Sequence, residues 1–551
     1  MKRVFSTILA WVFLTQTSFA AFHASTSWEV RTTGSDNNGG GFHRAGGSAE
    51  VTSASDLVID GANNKLVTSA THNFVAGDVG KSLHVLETSG AGWIFGWYTI
   101  VSTGSNAATL DESPGAVGLT AGGYSLWYGL DYSQQDAAEH VYTDLVIGNP
   151  NTTATSAVRP FSYTDTGNII NVLSGTNCTV QRAQISSVSA GAVATFDKAL
   201  GTIGSTCTGN FGGALLTLGT MGTSVVDMNE VYVKAGTYTI TTMVDLRFLG
   251  VVIYGYQTTR GDNGTKPLIT TATDSIALFQ SCGGAYTCGF HNLSFSNTAA
   301  TREAGILARG GTITVVDSLF DGFTTGINAS ALLGSYATES LVVRGTEVKN
   351  SSAYGIAFRG PSTYSHLTVV DSYIHHNSTA GLFYRVPGQA DLIRNRITYN
   401  GIGIYSTSNA ITWNMTNNTV ANNTSDGFGT LGTQVVRMMF VLSNNIFYGN
   451  GGWGLQILYN EFQPLDSPLI ITNNAYGSNA SGNYTYIGPG TNEIALTADP
   501  FTDAVGGDFT LNSDAGGGEL LKATGTPAYL DIGALQSQGS VAGAHGSAFV
   551  Q

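Results

Sequence analysis

The chain is 551 residues long, with a formal net charge of −14, 11% charged residues and 71 glycines. An acidic surface repels nucleic acid and anionic membranes, so neither is expected as a partner. After the N-terminus no stretch approaches the roughly 20 consecutive apolar residues of a spanning helix, so no membrane span is expected.

Residues 1–20 read as an export signal: Lys2 and Arg3, an apolar run from Val4 to Leu14, then Ser18-Phe19-Ala20 as a cleavage site before Ala21. The expected product is a soluble monomer that is secreted, whether extracellular, periplasmic or held at the cell surface, with its net charge lowered to −16 by loss of the two cations. Residues 21–50 are expected to form an N-terminal segment or cap. Asp36-Asn37-Asn38-Gly39 resembles part of a calcium loop but lacks the terminal Glu of an EF-hand. Calcium is compatible with the chain, yet the sequence requires no cofactor and no metal-ligand set is assigned.

A duplicated module follows, over 51–130 and 131–222. Asp56-Leu57-Val58-Ile59 recurs as Asp144-Leu145-Val146-Ile147, Thr68-Ser69-Ala70 as Thr155-Ser156-Ala157, Phe74 as Phe161, and Asp78-x-Gly80 as Asp165-x-Gly167. Short β-branched and aromatic runs punctuated by Gly and Asp make each copy a small all-β unit. Trp93, Trp97 and Trp127 in the first copy suit either a sugar platform or a core. Four cysteines in an exported chain read as two disulfides, and of three pairings the local ones are expected, Cys178 with Cys207 and Cys282 with Cys288. The first copy has Ala91 and Ala121 near the positions of Cys178 and Cys207, so that bridge is an addition to the module. One Cys-x5-Cys pair with no following His argues against zinc.

From 223 to 500 the chain repeats. The apolar markers Phe295, Phe320, Val348, Ile374, Ile397, Val420, Phe447 and Tyr476 are 25, 28, 26, 23, 23, 27 and 29 residues apart. Polar residues precede most of them by three positions (Asn292, Asp317, Asp371, Arg394, Asn417, Asn444, Asn473), and Asn297, Asn350, Asn377, Asn400, Asn422, Asn423 and Asn450 follow by two or three. A Gly-apolar pair comes next, from Gly305-Ile306 to Gly454-Leu455. With no Leu-x-x-Leu-x-Leu core, this is no leucine-rich repeat. It reads as a coil of three short strands, each turn stacked about 4.8 Å from the next, with asparagines at the bends. Arg260-Gly261-Asp262 matches the cell-attachment tripeptide, but a Gly-Asp turn accounts for it equally.

Val231-Tyr232-Val233-Lys234-Ala235-Gly236-Thr237-Tyr238 resembles the first full rung, and Asn444-Asn445-Ile446-Phe447-Tyr448-Gly449-Asn450 a middle coil, of the pectin-lyase-like right-handed β-helix repeat proteins. Asp499-Pro500-Phe501 and Asp531-Ile532-Gly533-Ala534-Leu535, within a tail assigned to 501–551 and the residues leading into it, are similar to the ending that closes many bacterial members. The resemblance implies an all-β, right-handed parallel β-helix behind the duplicated β module. It transfers no catalytic residue: the Gly-His-Gly of related glycosidases and the Asp-Pro-His of alginate epimerases are both missing from the sequence.

Register supplies candidates instead. Residues flanking an inward apolar marker point outward, so Glu347, Tyr373 and Arg396 before the markers, and Asp321, Lys349, His375 and Thr398 after them, are expected to form one exposed patch. Residues 344–396 hold Arg344, Lys349, Arg359, Arg385, Arg394 and Arg396 against Glu347, Asp371 and Asp391, a local charge of +3 suited to an acidic polysaccharide. For β-elimination, Arg396 is assigned to neutralise a uronate carboxylate, Lys349 or His375 to abstract the proton and Tyr373 to act as acid. Arg344, Glu347, Arg359, Arg385, Arg394 and Asp321 are assigned to substrate binding. The opposing reading pairs these charges on the solvated face of a non-catalytic adhesion or structural protein, with the helix as rigid scaffold. His376 is expected to fill a turn.

Overall fold

The computed structural model describes residues 26–536 apart from 44–48, 80, 86–91, 95, 111–112, 128–135, 139, 162–164, 166, 190, 248, 259, 282–285, 331–337, 360–364, 386, 408–409, 431–436, 458–468, 486–489 and 528–529. From Glu230 onward each repeat contributes one strand to each of three sheets of parallel strands; among the described residues these hold ten, eleven and ten strands, and the first is extended to twelve by Thr26–Val30 and, antiparallel to it, Gly41–His43. One turn of the coil is Ser365–Val370 in the first sheet, Tyr373–His375 in the second and Ala380–Tyr384 in the third. Alternation sends Leu367, Val369, Ile374, Leu382 and Tyr384 inward, where all are fully buried. The marker residues stack into the same core, and Phe295 and Phe320 lie ring on ring at 4.5 Å.

The bends explain the polar columns. Asn292, Asp317, Asp371, Arg394, Asn417, Asn444 and Asn473 all have φ near +50°, the left-handed conformation that turns the chain between the first and second sheets and that Asn and Asp tolerate best. The next residue carries a ladder: Asn395, Asn418, Asn445 and Asn474 are buried and joined amide to amide at 2.9–3.0 Å. A second ladder runs through Asn377, Asn400, Asn423, Asn450 and Asn479 at 2.9–3.2 Å. Each rung thereby satisfies buried amides that would otherwise cost about 1–3 kcal/mol apiece.

The helix begins before the duplicated modules. Thr26–Val30 pairs in parallel with Glu230–Lys234, with Ser27 opposite Glu230, so both modules interrupt the first turn. Asp36 closes the interruption: its carboxylate accepts from the backbone of Leu216 and Thr217 and from the Thr217 hydroxyl at 2.7–3.1 Å. Its oxygens are thus engaged in joining two chain segments. Thr217 then caps the helix Leu218–Ser224, whose Leu218 and Met221 seal the end of the core.

Each module is a closed six-stranded antiparallel barrel, and the two share one strand connectivity. The second barrel is welded to the helix end. Arg182 donates to the carbonyls of Asp36, Asn38 and Gly39, and Ile169 joins the main core. Cys178 and Cys207 are bridged within it. Cys288 is also disulfide-bonded, while Cys282 lies outside the described residues.

The Arg-Gly-Asp tripeptide is not displayed. Arg260 is 2% exposed and pairs with the fully buried Glu29 at 2.6 Å, and the Asp262 carboxylate accepts from the backbone of Gln257 and Thr258. At the other end, the hairpin of Phe501–Asp503 and Asp508–Leu511 lays Phe501 and Phe509 over the outer face of the second sheet, against Ala421, Ile446 and Tyr448.

Candidate functional site

The second sheet carries the expected register: Glu347, Tyr373 and Arg396 are successive partners, as are Asp321, Lys349, His375 and Thr398. Their side chains are largely engaged with one another. Glu347 accepts from Lys349 at 2.8 Å and lies 3.0 Å from His375 Nε2; the bond to His375, reinforced by Lys349, holds its carboxyl down to about 2. His375 stacks on Tyr373 with centroids 3.9 Å apart, and the Arg396 guanidinium lies 4.1 Å over the same ring. The C-terminal hairpin walls this cluster: Phe509 packs on Tyr373 and Tyr399, and the Tyr399 hydroxyl donates to Ala504 at 2.8 Å. His376 occupies a left-handed bend with its Nδ1 2.7 Å from that of His375.

The expected patch is only partly exposed. Thr398 is fully buried and His375 is 9% exposed. Asp321 accepts from Asn350 at 2.8 Å, and Arg394 makes a two-pronged bond to Asp371 at 2.6 and 2.7 Å at the bend between the first and second sheets. Arg344 ends its first-sheet strand at the same corner. Arg359 and Arg385 lie at a different corner, where the third sheet leads into the first. The +3 segment is therefore divided among separate places. Residues close in sequence travel around the coil, and only equal register positions stay together.

That third-to-first corner holds a column invisible to the charge count. Ala308, Ala329, Phe358, Tyr384 and Ser406 are successive partners in the third sheet, so the next residues, Arg309, Ser330, Arg359, Arg385 and Thr407, share one position on five consecutive rungs. Backbone bonds from Arg309 to Ser281, Arg385 to Phe358 and Thr407 to Tyr384 extend the ladder through it. The Arg359 guanidinium sits 4.8 Å from the centroids of both Tyr354 and Phe383; those rings stack at 4.7 Å, and Phe383 meets Tyr405 at 5.3 Å. Burial, with the charge of Arg385, lowers the pKa of Arg359. The Nε atoms of Arg309 and Arg359 and the Thr407 hydroxyl are buried without a hydrogen-bond partner, and among the described side chains no carboxylate pairs with Arg309, Arg359 or Arg385. The connecting segments 331–337, 360–364, 408–409 and 431–436 contain neither Asp nor Glu, and the side chain of Glu339, which follows the first of them, lies outside the described ones.

Residues 282–483 match the family described as right handed beta helix region. Mannuronan C5-epimerase AlgE1 of Azotobacter vinelandii is 27% identical over 172 residues, which span 30% of this chain and 9% of that protein. Among solved structures, pectate lyase Pel9A aligns with a TM-score of 0.40 and 14% identity, over 59% of this chain and 91% of that one. The A-module of mannuronan C-5 epimerase AlgE6 from Azotobacter vinelandii aligns at 0.30 and 15%, over 49% and 91%.

Sequence reasoning named Arg359 and Arg385 but missed Arg309 and the aromatic row. The signal was present. Counting from the glycine of each Gly-apolar pair, the fourth residue onward is Arg309, Ser330, Arg359, Arg385 and Thr407, and the second is aromatic at Phe383 and Tyr405.

Proposed function

We propose that this chain is an exported protein that binds an acidic polysaccharide along the corner between its third and first sheets. The observation that carries the reading is the column Arg309–Ser330–Arg359–Arg385–Thr407, whose arginines have no described acidic partner. Arg309 and Arg359 are half-buried with their Nε atoms unbonded, and Arg385 is exposed, so the row offers free guanidinium donors to a ligand that brings its own carboxylates. Equal positions recur about every 4.8 Å along the helix, a spacing that suits a linear polyanion laid parallel to the axis. Tyr354 and Tyr405 offer ring surface to the apolar faces of the sugars. The Lys2 to Ala20 segment supports export.

The test is titration of full-length protein with a polyuronate and with a neutral glucan of equal length. Arg359→Ala and Arg385→Ala should each weaken polyuronate binding by roughly tenfold, about 1.4 kcal/mol. The wild-type affinity should fall steeply with salt. Equal affinity for the neutral glucan, or unchanged affinity in both variants, would remove the reading.

A second reading places β-elimination at Lys349, Tyr373, His375 and Arg396, and the Glu347–His375 bond favours it because it fixes one imidazole tautomer. Lys349→Ala and His375→Ala test it by the absorbance of unsaturated uronate ends. A rate unchanged in both would return that cluster to a structural role.

A further inference from the structure

Seven residues after Arg359, His366 lies outward on the first sheet with its side chain 44% exposed. Its Nε2 is 2.6 Å from Asp391 Oδ2 on the next strand and 3.4 Å from the Thr368 hydroxyl. Asp391 is itself held from two sides. Gln389 donates to both its oxygens at 2.9 and 3.0 Å, and Asn414, one strand further on, donates to Oδ1 at 2.6 Å. Burial alone would push the Asp391 carboxyl up, but Gln389, Asn414 and His366 together hold it below its ordinary range. A carboxylate on Nε2 fixes the tautomer with hydrogen there and the lone pair on Nδ1. Among the described residues no group bonds that Nδ1.

Four side chains on three neighbouring strands thus converge to orient one imidazole that burial does not require. His366 is opposite Ser340 and Gln389 in the sheet, and Gln389 follows Arg385 by four residues around the same corner. Of the unpaired arginines, Arg359 leads into the strand of His366 and Arg385 into the strand of Gln389 and Asp391, so these two share the two turns that hold the oriented nitrogen.

We infer that His366 is a catalytic general base for a uronate held by the arginine column, with Asp391 as its positioning residue; the inference rests on the acidic-polysaccharide reading above. A guanidinium of the column neutralises the sugar carboxylate and so makes the adjacent C5–H acidic. Nδ1 of His366 takes that proton. The C–H electron pair becomes the C4–C5 double bond, and the C4–O bond breaks with its pair remaining on oxygen. The leaving oxygen then collects the proton from His366, directly or through water. One polymer becomes one new reducing end and one unsaturated end, with no oxidant or metal in the balance.

The experiment uses the full chain with polymannuronate, polyguluronate and polygalacturonate, read by ultraviolet absorbance of unsaturated ends and by deuterium uptake at C5 in D2O. Binding is measured alongside. His366→Gln should lower the rate by roughly 10²-fold or more while binding stays within about twofold. Asp391→Asn should lower kcat less and leave KM unchanged, as expected of a residue that orients the imidazole and does not touch the sugar. Binding by the wild type with neither product nor deuterium uptake would overturn the inference alone, as would a His366→Gln variant of full rate. Absence of polyuronate binding would overturn the binding reading and the inference with it.

Discussion

The two barrels descend from one sequence pattern and share one strand order, yet they lock the same place by different chemistry. In the second, Cys207 lies opposite Leu145 and Cys178 bridges to Gly201, and a disulfide joins them. In the first, Gly122 lies opposite Leu57 and Trp93 bridges to Gly115, so Trp93 and Gly122 hold the positions of the two cysteines. The indole lies so close over Gly122 that a Cβ there would come within 2.4 Å of it. The positions near Ala91 and Ala121 inferred from sequence are thus corrected by two residues and one. Trp93, 6% exposed, is core and not a sugar platform; the side chains of Trp97 and Trp127 lie outside the described ones. A second lock differs likewise. Buried Asp78 takes Lys81 at 2.7 Å and His72 at 2.9 Å, whereas its counterpart Asp165 takes Arg159, which also reaches the Tyr142 hydroxyl at 2.8 Å. The fold requires that each barrel be closed at these points and leaves open how.

Removing one lock should therefore weaken one barrel only, and hydrogen exchange of the barrel strands reads each separately. Trp93→Ala should have the largest effect, about 3–5 kcal/mol on the first barrel, since a large cavity opens over a glycine that cannot fill it. Loss of protection in both barrels would show that they are coupled. Reducing Cys178–Cys207, or replacing Cys207 by Ser, should cost the second barrel about 2–4 kcal/mol through the freed 29-residue loop and leave the first untouched. The acid response should be smaller. Against the upward push of burial, Lys81, the Val75 amide and His72 hold the Asp78 carboxyl below its ordinary range. Its stabilisation is complete above the unfolded carboxylate pKa and disappears as pH falls through the lowered folded value. Carboxyl-carbon NMR should find Asp78 still ionised where an ordinary aspartate has protonated, and Lys81→Met should raise its midpoint. Smallest of all should be Val158→Thr: this side chain is 70% exposed, and the change should stay within about 0.5 kcal/mol.

The β-helix was legible because its signal is local and repeated. An apolar marker about every 25 residues, a left-handed bend three positions before it and a glycine after it each report a backbone requirement that one residue satisfies by itself. The register that aligned Glu347, Tyr373 and Arg396 came from the same signal. Two things were less accessible. The asparagine ladder between the first and second sheets stands one residue beyond the polar column read from sequence, because the bend residue and the buried residue are neighbours of similar chemistry. The Arg309 column was missed because charge was summed along the chain, whereas a coil gathers residues a full turn apart.

By itself the sequence determined the period, the inward residues, the bends and the duplication, since each follows from what one side chain does in water or at one backbone angle. Only the tertiary structure decided that Thr26–Val30 starts the helix before the barrels, that the tail covers the second sheet, and which arginines lack a partner. Those outcomes depend on which distant segments meet. Pairing across 200 residues and the neutralisation of a charge are properties of contacts between segments, and no local pattern carries them.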